Sequence, residues 1–565
     1  MAATTHQFST FVDLLRERSA QHGDRLAFGF LGEEEAIVDR LTYAQLDERA
    51  RAIAAMLQSR YSPGDRALLL YPAGLEFISA FFGCLYAGIV AVPVYPPRGE
   101  RTLERWTTIS ISCQATLALT VSSLLPHLKS QDYQLEFLAT DVPDTLNLDN
   151  WKRPDLSNET IAFLQYTSGS TGAPKGTVIT HENLLHNATL LHQCLQHTPD
   201  SISVSWLPLY HDMGLIGGVL QPIYGLVPTY LMNPLAFIQK PYRWLQAISK
   251  YRATISGAPN FAYELCTRKI KRDRRAKLDL SCWEVAFIGA EPIRAETLIE
   301  FKRTFAPCGF RSQTFYPCYG MAEATLMVAG GETTLEPTIY RANGKLLEEN
   351  WVKIVEKPSQ SDPYLVSVGR WRLDLKIVDL DALTECSSNQ IGEIWLSGKN
   401  VASGYWNLPQ ETEATFHAYL SDTGEGPFLR TGDLGCIVDG ELFITGRLKE
   451  MVIIRGRNHY PQDIEQTVEK SHPALRPSAN AAFAIEAKGV EQLVVVQEVE
   501  RRYLRSLDEK EVVRKIRRAV ADRHGLQVYD VFLASIGSVP KTSSGKTRRR
   551  KCREAFLSGD LQRIG

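Results

Sequence analysis

The chain has 565 residues, more than one compact domain usually holds, with 44% hydrophobic and 22% charged residues and a net charge of −1. That is an ordinary globular composition, and the near-neutral balance excludes a global attraction to nucleic acid or to an anionic membrane. Ten cysteines are scattered with no C-x-x-C pair and no metal-ligand spacing, which reads as reduced thiols in a cytoplasmic protein.

Residues 1–9 lack the basic and apolar regions of a signal peptide. Phe11, Leu14 and Leu15 repeat at helical spacing. Thr42 and Gln45 form a capping box, and Leu46, Ala50, Ile53, Ala54 and Leu57 continue the helix it opens. Residues 65–71 read as a strand. The run 77–95 carries no charge and approaches the length of a membrane helix. Gly83, Gly88 and Pro93 interrupt it and β-branched residues fill its second half, so it reads as a buried helix over 75–87, a turn at Gly88 and a buried strand. Apolar strands alternating with helices predict a doubly wound, mainly parallel sheet.

Residues 160–164 read as a strand, and Thr180 caps a helix from His181. Between them runs Gln165-Tyr166-Thr167-Ser168-Gly169-Ser170-Thr171-Gly172-Ala173-Pro174-Lys175-Gly176. Its glycines let backbone N–H groups approach a ligand, its hydroxyls add donors and Lys175 adds a mobile charge, a set suited to polyphosphate. No Walker A register fits. Alone, such a run is equally a surface loop. The strand–helix rhythm resumes with strands over 203–207, 227–231, 254–257 and 285–288, and helices near 213–224 and 241–251. Residues 330–368 break it, being polar and irregular. Short strands follow over 371–378, 392–397, 436–438 and 441–444, with Asp439-Gly440 as a hairpin turn. They predict a small β-barrel-like subdomain. A boundary at 446–450 leads to an α+β tail with helices over 462–469 and 509–523 and strands over 481–485 and 492–498.

Further motifs follow the phosphate-type loop in order. Trp206-Leu207-Pro208-Leu209-Tyr210-His211-Asp212-Met213-Gly214-Leu215 follows a strand. Ser256-Gly257-Ala258-Pro259-Asn260-Phe261-Ala262-Tyr263 and Phe287-Ile288-Gly289-Ala290-Glu291-Pro292 are glycine turns at strand ends, where open α/β sheets bind ligands. Phe315-Tyr316-Pro317-Cys318-Tyr319-Gly320-Met321-Ala322-Glu323 joins an aromatic able to stack on a purine to a carboxylate able to hold Mg²⁺. Arg430-Thr431-Gly432-Asp433-Leu434-Gly435 puts a carboxylate in a turn. Pro540-Lys541-Thr542-Ser543-Ser544-Gly545-Lys546-Thr547 opens a basic run. Each motif alone also reads as a structural turn, an aromatic cluster or a solvated charge run.

Taken in order, these motifs resemble the adenylate-forming superfamily of acyl-CoA synthetases, luciferases and adenylation domains, with wording most similar to fatty acyl-AMP ligases. The resemblance implies a large N-terminal domain, 1–447, of doubly wound sheets plus the β-subdomain, and a smaller, mobile α+β domain, 448–565, hinged at Lys449. It implies ATP contacts from Thr167, Ser168, Gly169, Ser170, Thr171, Gly172, Lys175, Gly289, Ala290, Glu291, Tyr319, Gly320, Met321, Ala322, Glu323, Asp433, Arg447 and Lys546. Glu323 would hold Mg²⁺, Asp433 the ribose hydroxyls, and Lys546 would be catalytic, with His211 near the substrate carboxylate. His211, Met213, Gly214, Asn260 and Phe261 would line the acyl pocket, where Ala258 departs from the glycine many such ligases carry. The implied reaction makes acyl-AMP and pyrophosphate from a fatty acid and MgATP. The stretch 330–368 falls where these ligases carry an insertion that restrains the small domain, which implies transfer to the phosphopantetheine arm of a separate acyl carrier protein. An acyl-CoA synthetase, or a non-catalytic relative, remains the alternative from the residues alone. No nucleic-acid partner and no membrane insertion are expected.

Overall fold

The structure, a computed structural model, describes residues 8–95, 100–129, 135–142, 148–167, 174–359, 362–454, 457–487, 490–542 and 545–564. Two large sheets form its frame. One has the strand order Arg370–Trp371, Met327–Gly330, Phe315–Gly320, Val285–Ile288, Ile255–Ala258, Ser203–Ser205, Thr229–Met232, Leu26–Leu31, Ile37–Thr42. Its six middle strands pair in parallel and its edges antiparallel. The other has the order Glu136–Ala139, Leu117–Thr120, Arg66–Leu69, Val90–Pro93, Ile161–Thr167, Lys175–Thr180, parallel except for its last strand. The near-continuous apolar strands are explained by helices on the sheet faces, which leave no face wet. Helices Tyr43–Gln58, Glu76–Ala87 and His181–Leu195 share one core with strands of both sheets.

The uncharged run is a core helix, not a span. All of Glu76–Ala87 except Glu76 is buried, and Gly88 ends it in a left-handed cap at φ 74°. Among the described residues no helix is long and apolar enough to cross a membrane. The Thr42/Gln45 capping box forms, and Thr180 makes a second one with Asn183.

The β-subdomain is an open antiparallel sheet of Asp374–Val378, Gly392–Ser397, Leu429–Val438 and Glu441–Arg447, so the expectation of a barrel-like closure is corrected to four strands in a row. The third strand runs well beyond 436–438, because Arg430-Thr431-Gly432-Asp433, polar enough to read as a turn, stays in the ladder. Asp439 and Gly440 make the tight hairpin, with φ 52° and 76°. The stretch 330–368 is more ordered than its composition suggests: Ile339–Arg341 pairs with Tyr364–Val366, and Gly344–Glu348 is a short helix. After Arg447 come a short turn of helix, Leu448–Glu450, and the hairpin of Val452–Ile454 and Arg457–His459. A three-stranded sheet of Leu475–Ala487, Val490–Val499 and Val528–Ala534 then packs on helices Pro461–Lys470 and Glu509–His524 around a core of its own.

Candidate functional site

The site lies outside the carboxyl ends of the strands Ile255–Ala258, Val285–Ile288 and Phe315–Gly320, where a parallel sheet opens a crevice. Thr167 ends one strand and Lys175 begins the next, the two being partners in the antiparallel ladder. Ser168, Gly169, Ser170, Thr171 and Gly172 lie outside the described residues. Lys175 and Thr177 meet 404–406 on the other side: Trp406 N donates to Gly176 O at 2.8 Å, and Thr177 bridges Tyr405. Tyr405 is thereby fixed between two of the expected residues. Lys175 Nζ stands 4.8 Å from its ring centroid, and its hydroxyl donates to Glu323 Oε1 at 2.9 Å. Burial raises the Glu323 carboxyl above its usual range, against the pull of Tyr405 and Arg447.

Gly320 turns the chain between Tyr319 and Glu323. A Cβ there would stand 1.9 Å from Leu326 O, so no other residue fits without moving backbone. Met321 N donates to the same carbonyl at 2.9 Å, and Ala322 starts the single helical turn that carries Glu323. The Tyr319 hydroxyl donates to Asp433 Oδ2 at 2.7 Å, and Arg447 Nε pairs with Asp433 Oδ1 at 2.9 Å. Each carboxylate oxygen keeps a lone pair for a ligand hydroxyl. Asp433 and Arg447 face each other as ladder partners, which places both by strand register alone. Ala290 holds a left-handed φ of 69° in the Gly289–Glu291 turn, strain of the kind that clusters at ligand sites.

The turn Pro208–Asp212 carries His211, whose ring is tilted against that of Tyr210 at 4.8 Å between centroids. Asp212 Oδ1 accepts Met213 N at 2.6 Å and caps the π-helix Met213–Leu220. Burial raises Asp212, with Lys546 opposing. A Cβ on Gly214 would lie 2.1 Å from Pro208 O, so helix and turn touch backbone to backbone. Asn260 and Phe261 open the helix Asn260–Lys269.

Lys546 arrives from the far end of the chain. Its loop is closed on itself by Thr542 N to Lys546 O at 2.8 Å and Lys546 N to Thr542 Oγ1 at 3.0 Å. Neighbouring Gly545 lies against Phe261, its Cβ position 3.7 Å from the ring. Burial, then the charge of Arg447, lowers the Lys546 ammonium below its ordinary value, while Glu291, Asp212 and Asp433 hold it up. The charges that act on Lys546 are thus those of Arg447, Glu291, Asp212 and Asp433. Lys449 is exposed, two residues after Arg447. Sequence reasoning omitted Asp212 and Tyr405. The first was legible as the neighbour of His211; the second had no local signal, because its partners lie more than 80 residues away.

No group of three or more His, Cys, Asp or Glu side chains suited to a metal occurs among the described residues. A single half-buried carboxylate such as Glu323 fits Mg²⁺ all the same, since that ion takes one or two carboxylates and completes its shell with water and substrate phosphate.

Residues 15–406 match the family described as AMP-binding enzyme, and 449–565 match the AMP domain of Disco-interacting protein 2-like proteins. The chain is 49% identical to the medium-chain-fatty-acid–[acyl-carrier-protein] ligase JamA of Moorena producens (strain JHB), over 98% of this chain and 96% of that one. It is 37% identical to the long-chain-fatty-acid–AMP ligase FadD32 of Mycolicibacterium smegmatis, over 96% and 93%. Among solved structures it is similar to the fatty acyl-adenylate ligase of L. pneumophila in complex with acyl adenylate and pyrophosphate, with a TM-score of 0.78, 39% identity and 99% and 98% of the two chains covered. A fatty acyl-adenylate ligase from a study of the E. coli and L. pneumophila enzymes gives a TM-score of 0.88 at 32% identity, over 98% and 99%.

Proposed function

Because the chain belongs to the AMP-binding enzyme family, we propose that it activates a fatty acid with ATP and hands the acyl group to the phosphopantetheine arm of a separate acyl carrier protein. A carboxylate oxygen attacks the α-phosphorus of ATP, the bond from that phosphorus to the bridging oxygen breaks, and pyrophosphate leaves with the electron pair. The arm's thiol then displaces AMP from the acyl carbon. Two anions must meet, so positioning and charge stabilisation dominate the barrier. The observation that carries the reading is that Tyr319 and Arg447 hold the two oxygens of Asp433 at 2.7 and 2.9 Å while Gly545, next to Lys546, lies against Phe261 at the acyl entrance.

In this reading Lys546 offsets the negative charge gathering on the carboxylate and α-phosphate oxygens. Asp433, aimed by Tyr319 and Arg447, takes the ribose hydroxyls. The loop 167–172 and Lys175 hold the departing pyrophosphate. Gly289, Ala290, Glu291, Gly320, Met321 and Ala322 frame the base. His211, Met213, Gly214, Asn260 and Phe261 shape the acyl entrance. Glu323 would hold Mg²⁺, which would supply neutralisation of the phosphate charge. We divide the chain into 1–447, with both substrate sites, and 448–565, which brings Lys546, with Lys449 as the hinge. Ten free cysteines support a cytoplasmic setting.

Transfer to a carrier rather than to CoA is supported by contacts of the 330–368 stretch. Glu348 pairs with Arg457 at 3.3 Å, with His459, kept neutral by burial, packed 3.7 Å away, and Asn458 Nδ2 donates to Asn350 Oδ1 at 3.0 Å. These bonds hold the hairpin that follows the hinge, opposing rotation of the small domain. Incubating enzyme, fatty acid and MgATP with CoA or with a phosphopantetheinylated carrier tests the reading. Acyl-carrier formation with little acyl-CoA is expected; abundant acyl-CoA overturns the carrier assignment.

A further inference from the structure

We propose that Arg294 is a positioning residue for adenylation: it clamps the helix that opens the acyl pocket to the strand on which the Lys546 loop rests. Its guanidinium sits between Glu264 of the helix Asn260–Lys269 and Glu469 of the helix Pro461–Lys470, with Nη1 3.5 Å from Glu264 Oε1 and 3.0 Å from Glu469 Oε1. The three side chains are mostly buried, at 22%, 28% and 10% exposure. Ion pairs in such surroundings are screened far less than surface pairs, and removing one partner strands a buried charge.

Two further connections make this a clamp on the reaction and not only on the fold. On the pocket side, Arg294 N donates to Asn260 Oδ1 at 3.1 Å and Asn260 Nδ2 donates to Pro292 O at 2.9 Å. The turn carrying Gly289, Ala290 and Glu291 is therefore tied to the first turn of the pocket helix.

On the other side, Glu469 Oε2 accepts Ser478 N at 2.7 Å, and Ser478 Oγ donates to Glu264 Oε2 at 3.2 Å. Ser478 is held at a left-handed φ of 54°, within the irregular part of the strand Leu475–Ala487. A serine stays there only where its surroundings over-determine it. Its carbonyl accepts Lys541 Nζ at 2.6 Å, and two residues on, Asn480 O accepts Thr547 Oγ1 at 3.1 Å. Lys541 and Thr547 bracket Lys546 and bridge one another. The path Asn260–Arg294–Glu469–Ser478–Lys541 thus fixes both ends of the lysine's loop relative to the acyl entrance. Glu296 adds a parallel strap, meeting Lys470 at 3.3 Å and Gln466 at 3.0 Å.

The inference rests on Lys546 acting in adenylation, as proposed above. ATP and fatty acid bind the 1–447 part in that reading, so loosening the clamp lowers turnover and not substrate affinity. The test is ATP–pyrophosphate exchange by Arg294→Met, Arg294→Lys, Glu469→Gln, the swapped double variant Arg294→Glu/Glu469→Arg, and Lys546→Ala, each with its melting temperature. A misplacement of about 1 Å costs on the order of 100-fold. We expect kcat to fall roughly 10- to 100-fold in Arg294→Met and Glu469→Gln, with KM for both substrates within about threefold. Arg294→Lys and the swapped pair should recover part of the rate, and trypsin should cut faster within 447–457 in Arg294→Met. Unchanged kcat in Arg294→Met, or a rise in KM alone, overturns the clamp while Lys546→Ala remains inactive. Equal loss in every variant together with a lowered melting temperature assigns Arg294 a folding role and also overturns it. Full exchange by Lys546→Ala refutes the underlying reading instead.

Discussion

Gly214→Ala and Gly217→Ala place the same methyl group three residues apart on one helix, with opposite consequences. At Gly214 the new Cβ would stand 2.1 Å from Pro208 O, 2.7 Å from Pro208 C and 3.2 Å from Leu207 C, all backbone. Nothing there can swing aside, so the turn 207–212 must move outward by about 1 Å to reach an ordinary contact. Overpacking of this kind costs about 1–3 kcal/mol. It also shifts His211 and Asp212 against Lys546, and a 1 Å error in such a group costs on the order of 100-fold in rate. At Gly217 the Cβ would meet only Leu326 Cδ2 at 3.6 Å, an ordinary contact. Removing a helical glycine there should stabilise by about 0.5–1 kcal/mol. The assay pairs thermal unfolding with ATP–pyrophosphate exchange. Gly214→Ala should melt several degrees lower and lose most of its exchange, while Gly217→Ala melts at or above the parent and keeps its rate. Equal behaviour of the two variants would refute the close approach of turn and helix.

Tyr405→Phe removes the hydroxyl that Glu323 accepts at 2.9 Å. With Glu323 holding Mg²⁺ as proposed, the carboxylate would be less well placed, and the Mg²⁺ concentration for half-maximal exchange should rise about 10-fold, as expected for a lost orienting partner. His181 is fully buried and neutral, its pKa lowered to about 4 by burial, and its Nδ1 accepts Phe11 N at 3.3 Å. Its folded pKa lies below the unfolded value of about 6.5, so stability is complete above that pH, falls on acidification towards 4 and levels off below. The loss amounts to about 3 kcal/mol. His197, His459 and His524 are lowered to about 4 as well, so His181→Asn should make the melting-temperature profile shallower across that window without levelling it; an unchanged slope would exclude His181 as a contributor. Glu348→Ala frees Arg457 and His459 from the 330–368 stretch, and acyl-CoA formation should rise several-fold with exchange retained. No rise at saturating CoA would separate those contacts from acceptor choice.

Much of this was legible in the chain. Parallel-sheet strands such as Val285–Ile288 announce themselves as short apolar runs between helical patterns, and the Thr42 and Thr180 caps are local chemistry that three residues suffice to show. The motifs in chain order carried the family resemblance, and it was that resemblance, not any one turn, that put Tyr319, Asp433 and Lys546 in one expected site. What escaped depends on long-range pairing. Tyr405 reaches Glu323 only because 404–406 joins the edge strand Lys175–Thr180. Strands of three residues, as in Ile339–Arg341, are too short to display a period. The run Arg430–Asp433 looks like a turn, since the polar side chains that mark turns here serve the site from within a strand. The open edge of the β-subdomain could not be read at all, because closure depends on which strands meet and not on how many there are.

The central claim is that a lysine 371 positions beyond Lys175 completes the adenylating site (546 − 175). ATP–pyrophosphate exchange driven by fatty acids of graded chain length, in the parent and in Lys546→Ala, tests it most directly. The account predicts fatty-acid-dependent exchange in the parent and a loss of roughly 10²–10³ in the variant, with ATP binding retained. Exchange at the parent's rate in Lys546→Ala, or none in the parent with any fatty acid, would contradict it.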